Sequence, residues 1–111
     1  MRVLLVLLLS AALTAAQEAR SEVRLDNEHV RVVENVYPPG AESPLHTHDH
    51  ARVVYVLDGG EMELESEDGQ TTRVRVEPGQ TIWQPAETHV VRNVGPTTVR
   101  LLETEVKHTV H

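Results

Sequence analysis

The sequence predicts a small all-β domain, an antiparallel β-barrel or jelly roll of about eight short strands. Short runs rich in Val, Ile, Leu and Thr recur along the chain, and none of them shows the period of an amphipathic helix. Clusters of Pro, Gly and Asp separate these runs and are typical of tight turns. The chain has no cysteine, so its fold depends on the core without disulfides.

The N-terminal segment, residues 1–16, has the pattern of a secretory signal peptide. Arg2 supplies a positive start, Val3 to Leu9 is an unbroken apolar run, and Ser10 to Ala16 is small and weakly polar. The apolar stretch is shorter than the roughly 20 residues that a membrane-spanning helix needs. We therefore expect an exported protein, periplasmic or secreted, whose mature chain is one domain over residues 17–111.

The charge balance excludes two classes of partner. The chain has 17 acidic and 10 basic residues and a formal net charge of −7. Such a domain is repelled by nucleic-acid phosphates and by anionic lipid headgroups. We therefore expect no nucleic-acid partner, and no membrane partner for the mature form.

The runs of β-forming residues define the expected strands in chain order. Between two of these strands, Pro78 followed by Gly79 fits a type II turn, because glycine supplies the positive φ that the third position requires. The predicted strands are 22–25, 29–37, 46–57, 61–66, 71–77, 80–84, 88–94 and 97–106.

One hairpin can be predicted together with its register. If Glu67 to Gly69 form a three-residue loop with Gly69 left-handed, Ser66 pairs with Gln70. Charged pairs then lie on one face of the ribbon and mostly apolar pairs on the other. The predicted pairs are Glu61 with Arg75, Met62 with Val74, Glu63 with Arg73 and Leu64 with Thr72.

Three histidines alternate in the predicted strand 46–57, at His46, His48 and His50. Side chains alternate between the two faces of a strand, so the three imidazoles are expected to point the same way. Neutral imidazoles suit first-row transition metals. The alternation alone also fits histidines on a surface or in a loop.

The stretch from Gly40 to Gly59 carries the first part of a family resemblance. It matches the pattern G-x5-H-x-H-x3-E-x6-G at both glycines, at His46 and at His48. Arg52 stands where the pattern has its glutamate. This pattern is the first motif of the cupin family.

The second cupin motif, G-x5-P-x-G-x2-H-x3-N, is matched at Gly79, Pro85, His89 and Asn93. The gap between proline and histidine is one residue shorter, and it contains no glycine. Together the two stretches cover the mature domain, and their paired spacing is specific. The chain therefore resembles a small single-domain cupin.

The resemblance implies a barrel around a small-molecule pocket that holds one divalent transition metal. Carried over position by position, His46, His48 and His89 are the ligand positions. Iron is the first expectation, with manganese, zinc, nickel and copper as alternatives. Small cupins commonly pair, so a homodimer is expected as well.

Arg52 is the most informative departure from the family pattern, because a guanidinium cannot ligate a cation. Three outcomes are open. In the first, three histidines hold the metal and Arg52 is a catalytic residue that binds a substrate carboxylate. In the second, His50, Asp49 or Glu87 supplies a fourth ligand. In the third, no metal binds, and the histidines and Arg52 form a positive pocket for an organic anion.

Two further residues are candidates for the substrate pocket. Trp83, the only tryptophan, fits either stacking on a substrate or packing in the core. Gln84 follows Trp83 and should therefore point to the opposite face of the strand, and it is the candidate polar group of the pocket. Tyr55 lies at the opposite parity to His46 and is expected to face away from it. Asn93 is expected to have a structural role.

Two functions follow from these observations. The first is an exported metal-binding cupin, an oxygenase-like or isomerase-like enzyme that acts on a small anionic substrate. The alternative is a metal-free cupin module that binds a small organic acid.

Overall fold

The computed structural model describes residues 17–107, and all regular structure in that range is β-strand. The signal peptide expected at residues 1–16 lies outside the described residues. Within them there is no helix long and apolar enough to cross a membrane. The strands are β1 Arg20–Asp26, β2 Val30–Tyr37, β3 His46–His48, β4 Arg52–Asp58, β5 Gly60–Ser66, β6 Thr71–Val76, β7 Thr81–Gln84, β8 Glu87–Asn93 and β9 Val99–Val106.

The strands form two antiparallel sheets, as the sequence predicts for a jelly roll. The larger sheet has the order β1-β2-β9-β4-β7, and the smaller has the order β3-β8-β5-β6. Each sheet has one face exposed to solvent and one face turned toward the other sheet. The apolar residues lie on the inner faces, as expected for such strands. The buried cluster consists of Tyr37, Ala41, Val56, Met62, Val76, Val91 and Val99.

The predicted strand 46–57 is wrong as a single strand. Its first part is β3, which pairs with β8, and its second part is β4, which pairs with β7 and β9 in the other sheet. Residues 49–51 carry the chain between the sheets, so the alternation of side chains does not continue from His48 to His50. Tyr55 is exposed, as expected, although for a different reason. In β4 the side chains of Arg52 and Val54 point into the cavity, so Tyr55 points outward.

The hairpin of β5 and β6 confirms the predicted register at all four pairs. The Ser66 N–H donates to the Gln70 carbonyl over 2.8 Å, and Gly69 has a φ of 86°. The type II turn is also borne out, since Gly79 has a φ of 87° and the Gln80 N–H donates to the Glu77 carbonyl. Both turns use glycine where other residues would be strained.

The sheets enclose a cavity of about 950 Å³, a size typical of a small-molecule site. One end of it is polar and contains the histidines of the first cupin motif. Its walls are mostly aliphatic, and they include Val54, Met62, Leu64, Val74, Ile82, Val91 and Leu101.

The Asn93 side chain joins the end of β2 to the loop between β8 and β9. Its amide nitrogen donates to the carbonyl oxygens of Tyr37 and Thr97, over 2.8 and 2.7 Å. Its Oδ1 accepts from the Gly95 N–H. Asn93 is buried, so these bonds satisfy groups that water does not reach. The contacts agree with the structural role expected for this residue.

Replacing Asn93 with aspartate should destabilise the protein by about 3 kcal/mol. Asn93→Asp keeps the size of the side chain but loses both donors and turns a carboxyl group toward two carbonyl oxygens. Asn27→Asp is the control, because Oδ1 of Asn27 accepts from two backbone N–H groups and aspartate can do the same. Urea unfolding should show a change below about 0.5 kcal/mol for Asn27→Asp. Equal effects of the two substitutions would contradict this role.

Candidate metal centre

The antiparallel pairing of β3 with β8 brings three histidines together. His46 lies opposite His89 in this ladder, and His48 follows on the same face of β3. The ring centroids are 4.6 to 5.1 Å apart. One nitrogen from each ring can be chosen so that all three lie within 4.8 Å of one another. The residues expected to ligate a metal therefore lie in one group.

The partners of Nδ1 determine where the hydrogens of His46 and His48 lie. The Pro44 carbonyl oxygen is 2.8 Å from Nδ1 of His46, and because a carbonyl only accepts, that nitrogen carries the hydrogen. The Glu105 carboxylate is 3.6 Å from Nδ1 of His48 and favours a hydrogen there as well. Both Nε2 atoms then present lone pairs, and they lie only 2.9 Å apart.

Two facing lone pairs repel each other unless a cation lies between them. A hydrogen on Nε2 of His48 would remove this repulsion, but it would turn the lone pair of Nδ1 toward the Glu105 carboxylate. Two nitrogens at about 2.1 Å from one ion, at right angles, would be about 3.0 Å apart. The observed 2.9 Å fits that arrangement.

His89 supplies a second indication that the site fits a metal. It is 5% exposed, and neither of its ring nitrogens makes a hydrogen bond. Oε1 of Glu87 lies 3.2 Å from Nδ1, but out of line with it. A buried imidazole without partners is costly. A metal ligated by Nε2 would satisfy the nitrogen that Glu87 leaves free.

Burial keeps two of the imidazoles neutral. It lowers the pKa of His48 to about 3, and the Arg52 guanidinium acts in the same direction. Burial also lowers the pKa of His89 to about 4, although the Glu87 carboxylate opposes this shift. Neutral imidazole is the form that ligates a metal, so neither ring has to lose a proton at pH 7.

Arg52 is 2% exposed and has a protein partner at each of its nitrogens. Nε donates to Glu103 over 3.2 Å, Nη2 to Glu87 over 3.2 Å, and Nη1 to the Pro85 carbonyl over 3.3 Å. Three of its five N–H groups are therefore bonded within the protein. The contact between Arg52 and a substrate carboxylate, expected from the sequence, stays a prediction.

The polar end of the cavity is acidic. Glu87 and Glu103 accept hydrogen bonds from Arg52, and Glu105 lies opposite Arg52 in the β4–β9 ladder. Burial raises the pKa of Glu103, while Arg52 lowers it. Asn35 donates a hydrogen bond to the same carboxylate. The charge of Arg52 is thus matched by carboxylates. The metal-free pocket considered from the sequence stays a prediction.

The remaining sequence candidates are distributed around the site. His50 lies in the segment between the sheets, outside the group of three histidines, and Asp49 is exposed. Gln84 lines the cavity. Trp83 is 62% exposed and does not line it, which corrects both the pocket and the core interpretation. The reason is the alternation of β7, in which Ile82 and Gln84 face inward.

The sequence reasoning missed Glu103 and Glu105 as neighbours of the site. Both lie on β9 and both line the cavity. The sequence contained an indication of this position. Glu103 and Glu105 lie two and four residues after the inward-facing Leu101, so they share its face of β9. Charged residues at inward positions of a strand are expensive unless they are paired, so they indicate a polar site.

Comparisons with known proteins cover the part of the chain that carries both sheets. The family described as "Cupin domain" matches residues 33–105. The beta-alanine degradation protein BauB of Pseudomonas aeruginosa is 36% identical over 91 residues, which are 81% of this chain and 95% of that protein.

Solved structures give the same result. A cupin domain from Bordetella pertussis Tohama I superposes with a TM-score of 0.77 at 32% identity, over 82% of this chain and 95% of that one. The polyketide cyclase RemF from Streptomyces resistomycificus superposes with a TM-score of 0.63 at 26% identity. That match covers 84% of this chain and 68% of the cyclase.

Removing the guanidinium should destabilise the protein strongly. Arg52→Met leaves Glu103 buried without its cation, which should cost about 3–5 kcal/mol at neutral pH. The pKa of Glu103 in the folded state would rise further above its unfolded value, and stability is lost as the pH rises through that folded-state pKa. The deficit should therefore be larger at pH 8 than at pH 5 in urea unfolding of metal-free protein.

Arg92→Met is the matched control for this prediction. Arg92 contacts three carboxylates, those of Glu42, Glu63 and Glu65, whereas Arg52 contacts two, but Arg92 lies closer to the surface. Its loss should have a far smaller effect, without the same pH dependence. Equal losses for the two arginines, or a deficit that shrinks toward pH 8, would contradict the account of Arg52.

Proposed function

This chain belongs to the family of cupin domains, and we propose that it binds one divalent transition metal at His46, His48 and His89 and acts on a small molecule in the adjoining cavity. One observation carries the proposal. The Nε2 atoms of His46 and His48 face each other at 2.9 Å while an oxygen acceptor lies beside Nδ1 of each ring. A cation between the two Nε2 atoms would relieve the repulsion of their lone pairs.

The donor set suits a transition metal. Three neutral imidazoles favour iron, nickel, copper or zinc over calcium or magnesium, and iron is the first candidate, with manganese also to be tested. Three protein ligands leave coordination positions open to a substrate. When bound, such an ion acts as a Lewis acid or, if it is iron, supports oxygenase chemistry.

The residues around the site constrain the substrate. The aliphatic part of the lining favours a substrate with an apolar body. At the polar end, Gln84 and the Tyr37 side chain also line the cavity. A small anionic substrate remains our proposal only for the metal-loaded protein, because the carboxylates of Glu87, Glu103 and Glu105 would repel an anion otherwise.

The relatives support a small-molecule role. One is named for the degradation of beta-alanine and another is named a polyketide cyclase. We propose an oxygenase-like or isomerase-like reaction for this chain. Export to the periplasm or the medium, and pairing into a homodimer, are further proposals, which rest on residues 1–16 and on the family resemblance.

Elemental analysis of protein prepared without a histidine tag tests the proposal. After incubation with Fe, Mn, Zn, Cu and Ni in turn, followed by desalting, at least one metal should remain at about one ion per chain. His48→Ala should remove it, since two imidazoles hold a divalent ion much less tightly.

His50→Ala is the control, because His50 lies two residues from His48 but outside the group of three. It should retain the metal of the wild type. If the wild type retains no metal after reconstitution, the proposal fails. If His50→Ala loses as much metal as His48→Ala, the ligand set is wrong.

A further inference from the structure

We propose that Arg52 is a positioning residue of this metal centre, which holds the Glu87 carboxylate against Nδ1 of His89 and so directs Nε2 of that ring to the metal. The inference rests on the proposed metal-binding function. It assigns Arg52 a role in the layer around the ligands, where the sequence suggested a contact with the substrate.

The contacts form a relay from Arg52 through Glu87 to His89, in which the first link is a hydrogen bond and the second is a charge contact. Nη2 of Arg52 donates to Oε2 of Glu87 over 3.2 Å, and Oε1 of Glu87 lies 3.2 Å from Nδ1 of His89. The two oxygens of the carboxylate thus serve two different partners. Glu87 also shares a face of β8 with His89, because they are two residues apart on that strand.

Arg52 itself is held at its other nitrogens. Nη1 donates to the Pro85 carbonyl, and Nε donates to Glu103, which in turn accepts from Asn35. Arg52 belongs to the larger sheet and His89 to the smaller, so the relay connects the two sheets at the polar end of the cavity. A planar guanidinium can reach three acceptors at once, and an ammonium group cannot reproduce this geometry.

The relay matters because a neutral imidazole has two tautomers. His89 makes no hydrogen bond of its own that would select one of them. The negative charge of Glu87 beside Nδ1 favours the tautomer with hydrogen on that nitrogen, which leaves a lone pair on Nε2. If Glu87 turned away, a hydrogen on Nε2 would block ligation.

A simpler account of Arg52 predicts the opposite sign. A positive charge near a divalent ion repels it, so removing Arg52 should increase metal affinity if the charge acts only through space. If Arg52 acts through Glu87, removing it should decrease metal affinity. The two accounts are therefore separated by the direction of one change.

Cobalt(II) affinity, measured by competition with a chromophoric chelator, tests the relay. Arg52→Gln, Arg52→Lys and Glu87→Gln should each weaken binding by about 10-fold to 100-fold. The glutamine at position 87 has one acceptor oxygen and cannot serve both partners. In the Glu87→Gln background, Arg52→Lys should change the affinity by less than about twofold, because the two residues act in one chain.

Glu63→Gln is the matched control. Like Glu87, Glu63 accepts a hydrogen bond from an arginine, here Arg92, but neither residue lines the cavity, so cobalt affinity should stay within about twofold of wild type. The inference is overturned if the Arg52→Gln or the Arg52→Lys variant binds cobalt as tightly as wild type, or more tightly. If Arg52→Gln does not fold, Arg52→Lys and the more conservative Glu87→Gln decide the question.

A second readout needs no metal. Long-range ¹H–¹⁵N correlation spectra of the metal-free protein report which nitrogen of His89 carries hydrogen. We expect hydrogen on Nδ1 in the wild type and a shift toward Nε2 in Arg52→Lys and Glu87→Gln. An unchanged tautomer in both variants overturns the relay. Wild-type protein that retains neither cobalt nor any of Fe, Mn, Zn, Cu and Ni refutes the proposed function, while this readout still decides whether Arg52 sets the tautomer of His89.

Discussion

A guanidinium buried between two sheets is the constraint on which the functional end of this domain depends. A charge that water cannot reach must be matched within the protein, and Arg52 is matched by a carboxylate from β8 and another from β9. These contacts connect the larger sheet to the smaller one beside the three histidines. The arrangement of the candidate centre and the charge of the cavity both follow from this match.

The same contacts keep a buried arginine satisfied beside three grouped histidines. In the motif that the sequence resembles, position 52 is a glutamate, whereas a guanidinium cannot ligate a cation. Arg52 contacts Glu87 and Glu103 instead. These carboxylates would offset the charge of a divalent ion at the proposed centre.

Local features of the fold could be predicted from the sequence, and long-range ones could not. The register of the β5–β6 hairpin follows from a short loop with one glycine, and it was correct at every pair. The switch between sheets at residues 49–51 contains neither proline nor glycine, the residues that most strongly mark a turn. The prediction that His50 points the same way as His46 and His48 was therefore wrong. Trp83 was misplaced because its strand is only four residues long and its inward face is set by Gln84 and Ile82.

The candidate site also combines features that the sequence predicts with features that it does not. Motif spacing identified the three histidines that the structure brings together. The partners of Arg52 lie 35 and 51 residues further along the chain, on strands of different sheets, and no local pattern predicts that they converge. The role of a buried arginine depends on which acceptors bind its N–H groups. Those acceptors come together only when the distant strands have folded.

X-ray absorption spectroscopy of the cobalt-loaded protein would test the central claim most directly. The account predicts three imidazole nitrogens at about 2.1 Å from the metal, with the remaining positions filled by light atoms of solvent. Fewer than three imidazoles in the fitted shell would contradict a centre built from His46, His48 and His89.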